Sequence, residues 1–210
     1  MYTPKPFDQP DLSQLRALMR AHPLATLVSA TAEGVDAEHV PVLCLDSPGP
    51  FGTLQGHVAA ASPVSTRLED QSEVLAIFQG PNHYVSPKWY PTKREHGKVV
   101  PTWNYVVVHA RGPITWHRDP AWLRAHLERA VEVHEDENEP WRLSDAPAEF
   151  IGGLLGAIVG FEIPIVALTG KWKVSQNRNE ADRRGVVKGL RGTGTPAALQ
   201  MLEWMDEGDA

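Results

Sequence analysis

Cysteine is nearly absent from this chain: Cys44 is the only one in 210 residues. An intrachain disulfide and any cluster of thiolate ligands are thereby excluded. Cys44 lies in the apolar run Val42-Leu43-Cys44-Leu45, where a small buried hydrophobe is expected rather than a reactive thiol. Long apolar runs are also missing, since no stretch approaches the ~18 residues of a membrane-spanning helix. After Met1-Tyr2-Thr3-Pro4-Lys5 the chain stays polar instead of entering an apolar signal core, so a cytoplasmic protein is expected. The formal charge is −6, which argues against a protein that coats nucleic acid with its whole surface but leaves room for a local basic face. None of the nine histidines falls in an H-x-H or H-E-x-x-H pattern, and a metal centre is not expected. There is no G-x-S-x-G elbow and no Walker A loop. The glycines of 189–194 follow a helix-like stretch rather than a strand, so a dinucleotide fingerprint is excluded as well.

What is present is a soluble globular composition, 42% hydrophobic and 22% charged, in a chain long enough to bury a real core. Its densest feature is residues 78–105, which gather Phe78, Tyr84, Trp89, Tyr90, Trp103 and Tyr105 among Pro81, Pro87, Pro91 and Pro101. Aromatic rings held stiff by prolines suit a ligand wall, a core corner or a dimer seam. The β-prone run Val74–Phe78 precedes this segment, and a strand from Trp103 to Trp116 follows it. A connection of that length is more often functional than incidental.

The chain in order reads as a sheet with helical flanks. Asp8 is placed to cap a helix through Met19, and Leu24–Ala30 and Val35–Asp46 read as strands around a turn at 31–34. Pro41 in the second strand calls for an edge or a bulge. A third strand runs from Phe51 to His57, followed by Ser62-Pro63 as cap and first residue of a short helix ending at Leu68. Such a strand-to-helix turn offers free N–H groups to an anion. Asp119-Pro120 opens a helix with Trp122, Leu123, Leu127, Ala130 and Val131 on one face; Glu135–Pro140 is an acidic turn; Ser144 or Asp145 caps a helix through Leu155; Ile158–Leu168 returns to strand. A basic stretch from Gly170 to Arg178, a helix from Asn179 to Leu190, a hinge at 192–196 and a last helix from Ala197 to Met205 complete the chain.

A mostly antiparallel sheet or barrel with an anion-friendly turn at His57–Ser62 and an aromatic loop ending in Trp103-Asn104-Tyr105 suits a ligand with a phosphate at one end and a flat ring at the other. Flavin mononucleotide (FMN) has that shape. Several segments carry a family resemblance: Phe78-Gln79-Gly80-Pro81, Ser86-Pro87 with Trp89-Tyr90-Pro91, His96 through Tyr105, Val159-Gly160-Phe161-Glu162-Ile163-Pro164, and Gly170-Lys171-Trp172-Lys173 with Ser175-Gln176-Asn177. In this order the chain resembles the PaiB family of FMN-binding negative transcriptional regulators. The resemblance, which runs from Met1 to about Leu190, implies an α+β fold, a mostly antiparallel split β-barrel with flanking helices, here placed over residues 1–175; the change of composition after it marks 176–210 as a helical C-terminal extension. The resemblance further implies a homodimer with FMN near its seam, and DNA as a partner. The implied cofactor-binding residues are Gly56, His57, Val58, Ala59, Ser62, Trp103, Asn104, Tyr105 and Lys171. One departure stands out. Where the family has G-H-V-A-R-A-N-P, this chain has Gly56-His57-Val58-Ala59-Ala60-Ala61-Ser62-Pro63, and loss of that arginine is expected to weaken FMN binding by ~1.5–3 kcal/mol if it holds phosphate. Arg67 and Lys171 are cations able to take its place. A flavin-dependent oxidoreductase and a cofactor-free dimeric interaction protein are the competing functional classes, because flavin chemistry resides in the cofactor.

Overall fold

The computed structural model describes residues 1–135 and 138–206, so Asp136 and Glu137 of the expected acidic turn lie outside the described residues. The elements in chain order are β1 (Asp8–Gln9), α1 (Leu12–Ala21), β2 (Leu24–Thr31), β3 (Gly34–Leu45), β4 (Thr53–Ala59), α2 (Val64–Arg67), β5 (Glu73–Val85), α3 (Lys93–His96), β6 (Thr102–Pro113), β7 (Thr115–His117), α4 (Pro120–His134), α5 (Ala148–Leu155), β8 (Ile158–Pro164), β9 (Ala167–Lys173), α6 (Glu180–Thr193) and α7 (Pro196–Asp206). The strands hydrogen-bond in the order β1-β9-β6-β5-β2-β3-β4-β8-β7, giving an α+β fold built on a large antiparallel sheet. The chain groups into two compact units. Unit 1 holds residues 1–21, 79–108 and 169–210, and unit 2 holds 22–78 and 109–168. The described part of the 176–210 extension, residues 176–206, falls in unit 1 with the N-terminal helix and the aromatic segment. Among the described residues no helix is long and apolar enough to cross a membrane.

In unit 2, β2 and β3 pair from Leu24↔Pro41 to Thr31↔Gly34, and β3 pairs with β4 from Val42↔Gly56 onward. Pro41 therefore sits at the last pair with β2, one residue before pairing with β4 begins, a position that tolerates a missing N–H. Strand β8 continues the ladder on β4. Leu54, Val58, Phe161 and Ile163 of these strands are buried. A second apolar cluster joins Leu123 of α4 to Leu143, Ile151 and Leu155. Asp119 caps α4 as expected, its Oδ2 accepting from Trp122 N at 2.9 Å.

Two other caps differ from expectation. Helix α2 is a single turn with Pro63 in the cap position and no side-chain cap, because the Ser62 hydroxyl donates to Glu38 Oε2 at 2.9 Å. Helix α5 begins only at Ala148, after a 3-10 turn that takes up Ser144 and Asp145.

In unit 1, α1 buries Leu15, Leu18 and Met19. Its start is capped by Asp11, whose Oδ1 accepts from Ser13 N at 2.7 Å, and Asp8 lies instead in β1. The expected 78–105 connection is shorter than read. Strand β5 runs on past Phe78 to Val85, so the link to β6 is residues 86–101, carrying a 3-10 turn at Pro87–Trp89 and α3. The local breakers Gly80 and Pro81 account for the difference: both lie inside β5, and both are buried. Asn179 caps α6 by accepting from Asp182 N at 2.8 Å. The buried Asp182 carboxylate in turn accepts from Thr92 Oγ1 at 2.8 Å and from Thr92 N at 3.2 Å, tying the 86–101 link to α6.

Candidate functional site

The alternation of β6 sorts the three central aromatic-loop residues. Asn104, Val106 and Val108 point into unit 1 and are buried, whereas Trp103 is 52% exposed and Tyr105 half-buried on the opposite face. Asn104 is accordingly an internal clamp. Its Nδ2 donates to Ser175 Oγ at 3.0 Å, and Ser175 Oγ returns a hydrogen bond to Asn104 Oδ1 at 3.1 Å. Ser175 has φ +67°, a left-handed conformation that a non-glycine residue adopts at some cost. The reciprocal pair holds that turn, which directs the chain from β9 toward α6.

Lys171 and Lys173 bracket the buried Trp172 on β9. The Lys171 Nζ lies 5.4 Å from the Tyr105 ring centroid and 5.9 Å from that of Tyr2, and donates to Tyr2 O at 3.1 Å. The Lys173 ammonium donates to Thr102 Oγ1 and to Trp103 O. Its pKa is held down by burial first, then by the neighbouring charges of Lys171 and Arg178. Trp103 meets Tyr84 edge to face at 6.1 Å. Unit 1 thus presents, on one side of β6 and β9, two aromatic rings beside ammonium groups that repel one another. That arrangement suits a flat anionic ligand, which relieves the repulsion and stacks on the rings.

The other predicted residues lie in unit 2 and are spoken for locally. Gly56 faces Phe161: a Cβ there would stand 2.5 Å from Phe161 Cζ, so core packing accounts for the glycine. Val58 is core. His57 Nδ1 shares a 3.1 Å hydrogen bond with His126 Nε2. At the turn, Ala60 N donates to Ala157 O at 2.8 Å and Ser62 N to Ala59 O at 2.9 Å, while the Ser62 hydroxyl is on Glu38. Arg67 is paired with Glu33 at 3.2 Å. A phosphate at this turn would meet a carboxylate rather than a set of free donors.

Sequence reading missed a polar network beneath α4. Arg129 Nη2 donates to Gln55 Oε1 at 2.9 Å, the Gln55 amide donates to Glu162 Oε1, and Glu162 Oε2 lies 3.1 Å from His117 Nε2. Trp122 stacks between His117 at 4.1 Å and His126 at 5.5 Å. Its signal was the i, i+4, i+7 spacing of Trp122, His126 and Arg129, which puts a ring and two polar heads on one helix face.

With this geometry in view, residues 1–167 match a protein-family model described as "Putative FMN-binding domain". The chain is 33% identical to the protease synthase and sporulation protein PAI 2 of Bacillus subtilis over 211 residues, covering 99% of this chain and 97% of that protein. It is 34% identical to an uncharacterised protein of Emericella nidulans, covering 94% and 93%. Among solved structures it is similar to the flavocytochrome Anf3 of Azotobacter vinelandii, with a TM-score of 0.57, 13% identity and coverage of 79% of this chain and 69% of that one. It is likewise similar to a FAD and heme binding protein of Mycobacterium smegmatis, with a TM-score of 0.54, 14% identity and coverage of 79% and 73%. At those identities the two structures speak to the shared split-barrel fold alone.

Proposed function

We propose, from a chain that belongs to the PaiB family of FMN-binding proteins, that it is a homodimeric regulatory protein whose FMN rests on Tyr105, Trp103 and Lys171 of unit 1. FMN is the cofactor of this family, and it supplies redox-sensitive ring chemistry when bound. The observation that carries the reading is the pairing of Lys171 with the Tyr105 ring beside the mutually repelling Lys173 and Arg178. In this reading Lys171 holds the phosphate, the role that Ala60 leaves open. Trp103 and Tyr105 flank the ring system. Asn104 acts through Ser175 by fixing the turn that follows Lys173. The residues of β4 and Ser62 are left out of the contact set because their polar groups are engaged within unit 2. The regulatory part rests on the similarity to a Bacillus protein named for protease synthesis and sporulation, processes governed by gene expression, which makes DNA the partner to test.

Titration of FMN and riboflavin into the wild type and Lys171→Met tests the assignment. Loss of a charge-assisted contact of ~1.5–3 kcal/mol weakens FMN about tenfold or more. Riboflavin, which lacks the phosphate, should change by less than about threefold on the same scale. Equal weakening of both, at unchanged melting temperature, would remove Lys171 from the phosphate site.

A further inference from the structure

Charge is distributed unevenly between the units. Unit 1 carries fourteen Lys and Arg against nine Asp and Glu, and unit 2 carries six against seventeen. Within unit 1 the excess gathers on α6 and the 86–101 link. Arg184, Lys188 and Arg191 are exposed at i, i+4 and i+7, one stripe of the helix. Lys88 and Arg94 are exposed on the link and line, with Lys188, a cavity of about 620 Å³ that contains no carboxylate in its wall. On the other side of the stripe Lys188, Arg184 and Arg191 also line a groove of about 540 Å³. Arg184 is paired with Glu180 at 2.8 Å. Among the described residues Lys88, Arg94, Lys188 and Arg191 have no carboxylate partner.

The glycines of α6 explain how the two segments come together. A Cβ on Gly189 would stand 2.2 Å from Trp89 Cδ2, and one on Gly185 2.0 Å from Trp89 O. The helix therefore lies directly on the 86–101 link, and cations from both segments end on one surface. Trp89 is not a free stacking platform, since Gly189 covers its indole and His83 stacks on it at 6.1 Å. The surface offers cations without an open ring, which fits a phosphate backbone better than an exposed base. Its extent also decides the class of ligand. The seven helical steps from Arg184 to Arg191 span about 10 Å, more than one phosphate covers, and the stripe lies between two open grooves.

We infer that the surface formed by Lys88, Arg94, Lys188 and Arg191 docks the phosphate backbone of double-stranded DNA, an inference that rests on the regulatory reading and locates its contact. A basic face on an acidic chain orients the approach, because the −6 body is repelled from the polyanion while this face is attracted. The contacts are to phosphate, so they hold any sequence.

Fluorescence anisotropy of a labelled mixed-sequence duplex, measured over a series of salt concentrations, tests it. Four phosphate contacts give a log–log slope of about −3.6, and Lys188→Gln with Arg191→Gln should reduce its magnitude by about 2 while weakening binding more than tenfold at low salt. Arg124→Gln, on α4 of unit 2, should leave the slope unchanged. FMN binding by the double variant, equal to that of wild type, confirms that it folds. If the duplex binds with the same slope in the double variant, this surface is wrong and the regulatory reading survives elsewhere on the chain. If a single strand of equal charge binds as tightly as the duplex, the commitment to duplex DNA is overturned. If no duplex binds at low salt while FMN does, both the surface and the regulatory reading fail and the flavin assignment stands.

Discussion

His126 shows what burial does to a single side chain here. It is 2% exposed, its Nε2 is committed to His57, and its Nδ1 meets no partner. Its pKa is pushed down to about 4, by burial first and then by the charges of His57 and Arg129. The unfolded chain takes up this proton near the ordinary value of 6.5, so the folded state is favoured fully above pH 6.5 and progressively less as pH falls toward 4. The difference corresponds to about 3 kcal/mol. His126→Phe keeps a ring against Trp122 and removes the titration, so its melting temperature should vary less than that of wild type between pH 7 and 4.5. Parallel pH profiles for the two proteins would mean that His126 takes up its proton equally readily in the folded and unfolded chain. Ala60 poses a second question at this scale. The arginine that the family resemblance leads one to expect is absent, and the Ser62 hydroxyl of the same turn donates to Glu38 of β3, so an arginine introduced at position 60 has a carboxylate to compete with any phosphate. Ala60→Arg should leave FMN affinity within about threefold of wild type; a selective tenfold gain over riboflavin would return the phosphate to this turn.

Elements divide into those whose ends are written locally and those whose ends are set by partners. Asp119-Pro120 and Asn179 were legible because a cap needs only its own helix. Ser62 was misread because its hydroxyl has a better acceptor in Glu38, from a strand far away in sequence. Strand β5 was cut short at Phe78 because Gly80 and Pro81 are local strand breakers. What overrides them is tertiary: Gly80 leaves room for Leu18 and Val106, each 2.6 Å from where its Cβ would lie. The candidate site was half legible for the same reason. Trp103, Tyr105 and Lys171 were named from sequence and share one side of unit 1, but the inward turn of Asn104 and the network under α4 follow from strand phase and helix packing. Helix glycines give a paired test. Gly152 of α5 has nothing within 4 Å of its would-be Cβ, while the Cβ of Gly189 would meet Trp89 at 2.2 Å. Gly152→Ala should raise the unfolding free energy by ~0.5–1 kcal/mol through helix propensity. Gly189→Ala gains the same propensity and loses ~1–3 kcal/mol to overpacking, so its denaturation midpoint should fall. If both variants move in the same direction, the close approach of α6 to Trp89 is wrong.

For the whole molecule the open question is association. The nine-strand order begins with β1, two residues long, and ends with β7, three residues long. Short terminal strands offer little backbone to a second chain, so edge pairing is a weak reason to dimerise. Apolar surface is a stronger one. In unit 1, Tyr84 is 43%, Val100 64% and Trp103 52% exposed, all within the 78–105 stretch whose aromatics suit a ligand wall, a core corner or a dimer seam. The Tyr84 and Trp103 rings meet edge to face at 6.1 Å while both stay exposed, and apolar surface of this kind favours a covered state. Light scattering at micromolar concentration should therefore give twice the chain mass. Val100→Asp places a charge in the expected seam without touching Lys171 or Tyr105, and should shift the mass toward the monomer while the melting temperature of the monomeric fraction stays close to that of dilute wild type. Trp103 is the less clean probe, because the proposed flavin site uses the same ring. A wild-type chain that scatters as a monomer would leave Tyr84, Val100 and Trp103 to the flavin alone, and Val100→Asp would then be silent.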